Sequence, residues 1–535
     1  MHELSPIGRW NGAEAPRFVG SDVLDAARRC REPAFIVRGE DGAIGVALGG
    51  GLGDVGYPVL AVLSPLYPEW LGGRSFVEAH GLRFAYVVGE MANGIATAEM
   101  VIAAAEHGML GFFGAAGLSL ERVAAGLDRM EAALGPRGKS YGSNLIHSPH
   151  EPELEAAVAD LYLSRGVTRV SASAYMELTL PLVRYAATGL RRGLDGRLIR
   201  RNHVFAKISR PEVAARFLAP PPAAMLEALV AAGQLEAQEA ALAAEASVAT
   251  EVTVEADSGG HTDNQALTVV FPTVLAQCAA ATRRFSRAAP IRVGAAGGIG
   301  APGAVAAAFA MGADYVLTGS INQAAVESGL SPGGRALLAE VRLGDVTMAP
   351  AADMFEMGVK VQVLRRGTLF AARAQRLYEA YRGHASWAEI PAEERQRIER
   401  EILKAPYQDV ERATRDYFAA RAPAENERAA QDPRHAMALV FRAYLGQASK
   451  WAIAGDAARA LDYQIWCGPA MGAFNAWAAG SFLQPLEART VGQIGLNLME
   501  GAAVSVRAHQ LRAQGISVPD AAFQLAPRPL ELEEM

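Results

Sequence analysis

Eight short apolar runs, each ending in a glycine or small polar residue, are spaced through residues 84–322 and alternate with helical patterns. Strands separated by helices pair in parallel, and eight such units favour closure into a (β/α)8 TIM barrel over an open doubly wound sheet. The predicted strands are Phe84–Gly89, Leu110–Gly114, Tyr141–Leu145, Arg169–Ala172, Val204–Ile208, Val252–Ala256, Ile291–Ala295 and Tyr315–Thr318. Between them the predicted helices are Thr97–His107, Ser119–Leu134, Glu151–Ser164, Glu177–Leu190, Ala223–Glu245, Thr268–Phe285 and Pro302–Met311. Ser119 and Pro302 suit helix starts.

The chain has 535 residues, more than a bare barrel needs. Residues 1–80 form an expected β-rich N-terminal extension, in which Asp41-Gly42 between two β-rich runs marks a hairpin. The barrel is assigned to 81–345. Beyond 345 the strand signals stop, and 346–535 is expected to be mainly helical, packed on or extending the barrel, with helices over 367–430 and 434–454.

Charges are mixed and net charge is −6, which does not favour nucleic-acid binding. Three distant cysteines, Cys30, Cys278 and Cys467, suit a reducing compartment. With no visible secretory signal and no apolar run of spanning length, the expectation is a soluble cytoplasmic protein without membrane contact.

Gly51-Leu-Gly53-Asp-Val-Gly56 fits a dinucleotide fingerprint, but Tyr57-Pro58 follows, with Pro65 and Pro68 soon after. No helix propagates through those prolines, so the run is a turn. The glycines after the last two predicted strands are more informative. Gly297 and Gly298 precede an Ala-rich helix, and Gly319-Ser320 closes the eighth strand. Glycines there let backbone amides approach phosphate oxygens at the end of a barrel where phosphates bind.

Glu255-Ala-Asp-Ser-Gly-Gly-His-Thr-Asp-Asn264 follows the sixth strand. A metal set from Glu255, Asp257, His261 and Asp263 is conceivable. However, no His or Cys partner stands at ligand spacing, and Gly259-Gly260 suits backbone approach to a flat ligand; no metal is expected. His261 is the candidate proton or hydrogen-bond donor. Asn93, Asn144 and Lys207 stand at strand ends, where an amide suits ribityl hydroxyls or ring edges and a lysine suits negative charge on a reduced ring. Cys467 reads as a buried thiol.

Six runs together resemble the PfaD family, the trans-acting enoyl reductases of polyunsaturated fatty acid and polyketide synthases. They are Gly89–Ile95, Tyr141–Pro149, Val170–Met176, Glu255–Asn264, Ala295–Ala301 and Asp462–Phe474. The barrel alone is also similar to the wider nitronate monooxygenase and FabK-type group. The resemblance implies an FMN-dependent reductase that uses NADPH on enoyl thioesters held by an acyl carrier protein. It matches Gly297, Gly298, Gly319 and Ser320 to FMN phosphate loops, and Gly89, Asn93 and Gly94 to the first-strand segment against the flavin. Asn144 matches a third-strand polar contact and His261 the histidine facing the flavin. There is no GxSxG nucleophile elbow at the N-terminus, so acyl groups are expected on a partner.

Two other functions fit the same sequence: a nitronate monooxygenase-like flavin oxidase, or a non-catalytic synthase assembly subunit. Arg191, Arg192, Arg197, Arg200 and Arg201 form the densest positive stretch and are a candidate landing site for an acidic carrier. The helices after 345 could form a lid, a homo-oligomer contact or both.

Overall fold

The structure is a computed structural model that describes residues 5–148 and 151–535, so Pro149 of the second resemblance run lies outside the described residues. Its centre is a closed, all-parallel eight-stranded barrel. In chain order the strands are Tyr86–Val88, Leu110–Phe113, Gly142–Ile146, Arg169–Ser173, His203–Ile208, Glu251–Glu255, Arg292–Ala296 and Tyr315–Thr318. Each predicted strand is present within about two residues, the usual uncertainty of element ends.

The barrel interior is filled rather than hollow. Phe76, Phe112, Phe205, Tyr315 and Leu317 pack as one buried cluster, and the Tyr315 and Thr253 hydroxyls meet at 2.7 Å. Gly294 is required here, because a Cβ would sit 2.1 Å from the Tyr315 ring. Below this layer, at the N-terminal ends of the strands, lies a buried ionic plug. Glu251 accepts from Arg292 at 2.5 Å and pairs with His80 at 3.1 Å, while Arg169 donates to the other His80 nitrogen at 3.0 Å. That donation assigns His80 as a neutral imidazole, and burial holds its pKa below the ordinary value. Burial alone would raise the Glu251 carboxyl, but His80 and His203 beside it hold it well below the usual range. His80, His203 and Glu251 have metal-ligand spacing, yet Arg292 and Arg169 already occupy Glu251 and His80.

The helix Val491–Ala513 packs against Pro302–Ala310, Ala98–Glu106 and the first strand, so it closes the outer layer where an eighth barrel helix belongs. Its glycines allow the contact: a Cβ on Gly492 would meet the His107 ring at 2.4 Å, and one on Gly501 the Pro302 ring at 2.6 Å. On its far side sits the N-terminal sheet, whose strands run in the order Ile44–Leu48, Ala34–Arg38, Tyr57–Leu63, Gly8–Asn11, Gly51–Gly53. Asp41-Gly42 turns the hairpin, with Gly42 at φ +83°. The fingerprint-like Gly51–Gly56 run is a short strand and a turn, not a strand-to-helix loop.

Two expectations need correction. The single helix over Ala223–Glu245 is two helices, Ala223–Ala231 and Ala237–Ala243, separated by Gly233 at φ +65° and a capping box between Glu236 and Glu239. Strands also continue past 345. Val346–Pro350 and Lys360–Leu364 pair antiparallel, and Gly260–His261 joins them as a third strand. Both are five residues long, and the residues between them carry no hairpin signal, so their alternation is weak evidence by itself.

Candidate functional site

The C-terminal ends of the strands converge on a mouth crossed by buried charge. Side chains alternate between the two faces of a strand, so Phe205 and Lys207, two residues apart, both face inward, Phe205 into the filled core and Lys207 into the mouth. Its ammonium lies 3.1 Å from Glu255 on the sixth strand and 3.4 Å from Glu90, just past the first. The first and fifth strands stand opposite each other in the ring. The Lys207–Glu90 pair therefore crosses the centre of the mouth. Both Glu90 oxygens are sealed from solvent and have no hydrogen-bond partner among the described residues. Burial disfavours the Lys207 charge, but Glu255 and Glu90 more than compensate and hold its pKa above the ordinary value. Burial, the first cause, raises the Glu255 carboxyl in spite of Lys207.

Asn144 is buried on the third strand and donates to the Ser171 carbonyl and the Ser173 hydroxyl, both at 2.9 Å. Gly89 donates to the Thr318 carbonyl at 2.9 Å, and a Cβ there would meet Leu317 at 2.5 Å. Asn93 adopts φ +59° and Gly94 φ +74°, and both donate into the loop after the second strand, to Ala116 and Gly114. These residues shape the first-strand side of the mouth.

The glycine loops of the last two units divide into two kinds. A Cβ on Gly298 or Gly319 would meet nothing within 4 Å, so these positions open onto free space beside the N-terminus of the helix Pro302–Ala310. Gly297, at φ +82°, instead lies against the Ala256 carbonyl group, and a Cβ on Gly300 would fall 2.1 Å from the Ala470 oxygen. The chain pressing on Gly300 is the distant run 463–474. Gly468 donates to the Ser320 hydroxyl at 3.1 Å, and Gln323 donates to the Trp466 carbonyl. Gly259 and Gly468 approach so closely that a Cβ on either would meet backbone of the other run within 2.9 Å. The segment forms a strap along the mouth.

The carboxylates of the acidic run after the sixth strand diverge to separate partners. Asp257 accepts from Asn264 and Gln362, Asp263 from Arg210 and Ser209, and Glu255 turns inward to Lys207. Gly260 and His261 sit in the three-stranded sheet, and the His261 ring is 45% exposed on the rim, 3.1 Å from Asp353. Burial works against the charged imidazole, but the hydrogen bond and charge of Asp353, with Glu255 behind, hold its pKa above the ordinary value. Cys467 is buried and its thiol is pushed up to about 12 by burial, so it is inert toward electrophiles at neutral pH.

Sequence reasoning did not single out Glu90, Asp353 or the strap's contact with the glycine loops. Glu90 directly follows Gly89 at a strand end, which is a usable signal. Asp353 comes from beyond the barrel and gave none.

The arginine stretch is on the wrong side for docking at the mouth. It lies between the fourth helix, Leu180–Ala187, and the fifth strand, and such connections sit at the opposite end of a barrel. Its charges are also largely engaged: Arg192 forks onto Glu245 and Arg200 is buried against the Ser247 carbonyl.

Fold and site define a (β/α)8 barrel with open glycine loops on its last two units and a buried acid–base cluster across its mouth. The enoyl reductase domain of MlnA, from the macrolactin biosynthesis cluster of Bacillus amyloliquefaciens, superposes with a TM-score of 0.79 at 35% identity, covering 83% of this chain and 99% of that one. A polyunsaturated fatty acid synthase protein of Thraustochytrium sp. is 43% identical over 484 residues, 89% of this chain and 32% of the relative. The polyketide biosynthesis protein PksE of Bacillus subtilis is 43% identical over 436 residues, 82% of this chain and 56% of the relative. Residues 384–463 match the inserted helical domain of acyl-carrier-protein S-malonyltransferase. This chain belongs to the PfaD family of enoyl reductases of polyunsaturated fatty acid and polyketide synthases. It spans about a third to about half of the two curated relatives' own length.

Proposed function

We propose that this chain is a trans-acting, FMN-dependent enoyl reductase that uses NADPH to reduce the α,β double bond of enoyl thioesters on an acyl carrier protein, within cytoplasmic polyketide or polyunsaturated fatty acid synthesis. The observation that carries this is the match to essentially all of the MlnA enoyl reductase domain. The residues at the mouth fit the cofactor. Gly298 and Gly319 leave open backbone where a phosphate would meet a helix N-terminus, and Asn144, its amide N–H groups already given to Ser171 and Ser173, would offer its carbonyl oxygen beside Gly89. Bound FMN would supply hydride transfer between NADPH and the β carbon of the thioester.

The chain's own residues do the rest. Gly297, Gly298, Gly319 and Ser320 would hold the phosphate, Asn93, Gly94 and Gly260 would shape the walls, and Lys207 would place an ammonium at the mouth to answer negative charge on the ring. His261, at the rim and held toward its charged form by Asp353, donates toward the thioester oxygen as that oxygen gains charge.

The visible spectrum of the purified protein, anaerobic NADPH titration and addition of a crotonyl thioester test this reading. A flavin spectrum bleached by NADPH and restored by the thioester supports it. Faster turnover on a nitronate with oxygen overturns it in favour of an oxidase, and colourless protein that takes up no FMN overturns it in favour of an assembly subunit. Gly319 has φ −121° and open space around it. Gly319→Leu is therefore expected to fold and to bind FMN at least about tenfold more weakly, checked by fluorescence titration and thermal melting.

A further inference from the structure

The centre of the mouth holds two carboxyls and one ammonium, and only one carboxylate can be neutralised by that ammonium. Glu90 is 5% exposed, Glu255 19% and Lys207 17%, so water does little to stabilise a second negative charge. Among the described residues, neither Glu90 oxygen has a hydrogen-bond donor. The Lys207 ammonium, 3.4 Å from Glu90, is shared with Glu255, so a fully ionised Glu90 would be poorly compensated. Two close acidic groups that cannot both ionise share a proton.

We propose that Glu90 and Glu255, bridged by Lys207, hold one shared proton and act as the proton store of the barrel mouth, supplying the proton that alkene reduction consumes. The inference rests on the enoyl reductase reading for its use, though not for the proton's existence. If bound reduced FMN supplied hydride to Cβ, the π pair would move toward the thioester carbonyl as an enolate. The O–H bond of the shared carboxylic acid then breaks as the C–H bond at Cα forms. The carboxylate left behind pairs with Lys207 until a proton from solvent restores the acid.

The raised Glu255 carboxyl agrees with this. The other titratable groups near the store are accounted for. His261 is tied to Asp353 on the rim, Asp257 to Asn264 and Gln362, and Asp263 to Arg210. Below, the facing groups are the neutral hydroxyls of Thr253 and Tyr315.

Infrared difference spectroscopy of the flavin-loaded protein at neutral pH reads the proton directly through the C=O stretch of a protonated carboxyl. Glu90→Gln and Glu255→Gln should each abolish the same band, because either carboxyl alone ionises against Lys207. Lys207→Met should strengthen it, because no cation then remains to hold a carboxylate. A band unchanged in both glutamine variants overturns the store, and so does one weakened in the methionine variant. Asp314 and Glu327, whose carboxyls burial also raises, are controls whose amide variants leave that band in place. In turnover of a crotonyl thioester, Glu90→Gln should lower kcat at neutral pH by roughly 10²-fold while FMN affinity and melting temperature hold. Its alkaline limb should move to lower pH, a change that a structural role alone would not produce. Should one variant fail to fold, the other two carry the infrared test. Wild type that shows the band but reduces no enoyl thioester leaves the store standing and removes the enoyl reductase reading instead.

Discussion

The two ends of this barrel bury charge in opposite ways. At the N-terminal end Glu251 is met by Arg292, His80 and the Thr250 hydroxyl, and Arg169 completes His80. At the C-terminal end one lysine serves two glutamates, and among the described residues Glu90 has no hydrogen-bond partner. With donors on both Glu251 oxygens, this network specifies structure. An unsaturated one is a strain on the fold that persists where chemistry uses it. The difference suits stability at one end and, on the proposed reading, chemistry at the other, the division that barrels of this class follow.

Breaking the plug should have the largest effect. Glu251→Gln leaves Arg292 buried without its carboxylate and is expected to cost about 3–5 kcal/mol, read by urea or thermal unfolding. Glu251 has a depressed pKa when folded, so its contribution is present above the unfolded carboxyl value, about 4.3, and lost as pH falls through the lower folded value. The gap between wild type and variant should be flat from pH 8 to about 5 and narrow only in stronger acid.

Gly300→Ala forces a Cβ onto the Ala470 carbonyl. It is expected to cost about 1–3 kcal/mol and to reduce FMN content by pushing the strap off the mouth, measured by melting and flavin absorbance. His261→Ala should keep flavin but slow enoyl turnover, and Asp353→Asn should lower the imidazole pKa and move any His261-dependent limb of the rate to lower pH. Unchanged turnover in His261→Ala removes the residue from the mechanism. The smallest effect is expected at the opposite rim. Reversing Arg191, Arg192 and Arg197 should change KM for carrier-bound and short thioesters alike. A selective rise for the carrier-bound substrate would return docking to that face.

Legibility in the sequence followed the range of the interactions. The barrel strands were readable because each is a local run of apolar residues bounded by turn residues, as in Tyr315–Thr318 followed by Gly319-Ser320. Helices were readable where caps were local and failed where an interior glycine broke the pattern, as at Gly233. His261 and the glycines were visible as candidates, but which glycines face open space was not. Gly298 and Gly300 are two residues apart and look alike in sequence, yet one opens onto solvent and the other is covered by Ala470.

By itself, the sequence determined the alternation of elements, the barrel and the family, because periodicity and short motifs are properties of neighbouring residues. Only the tertiary structure decided that residues 463–474 return to strap the glycine loops, that Val491–Ala513 closes the outer layer, and that Glu90 and Glu255 meet over one lysine. Those contacts join residues up to several hundred positions apart. Their chemistry comes from exclusion of water at a shared point, which no local pattern of the chain encodes.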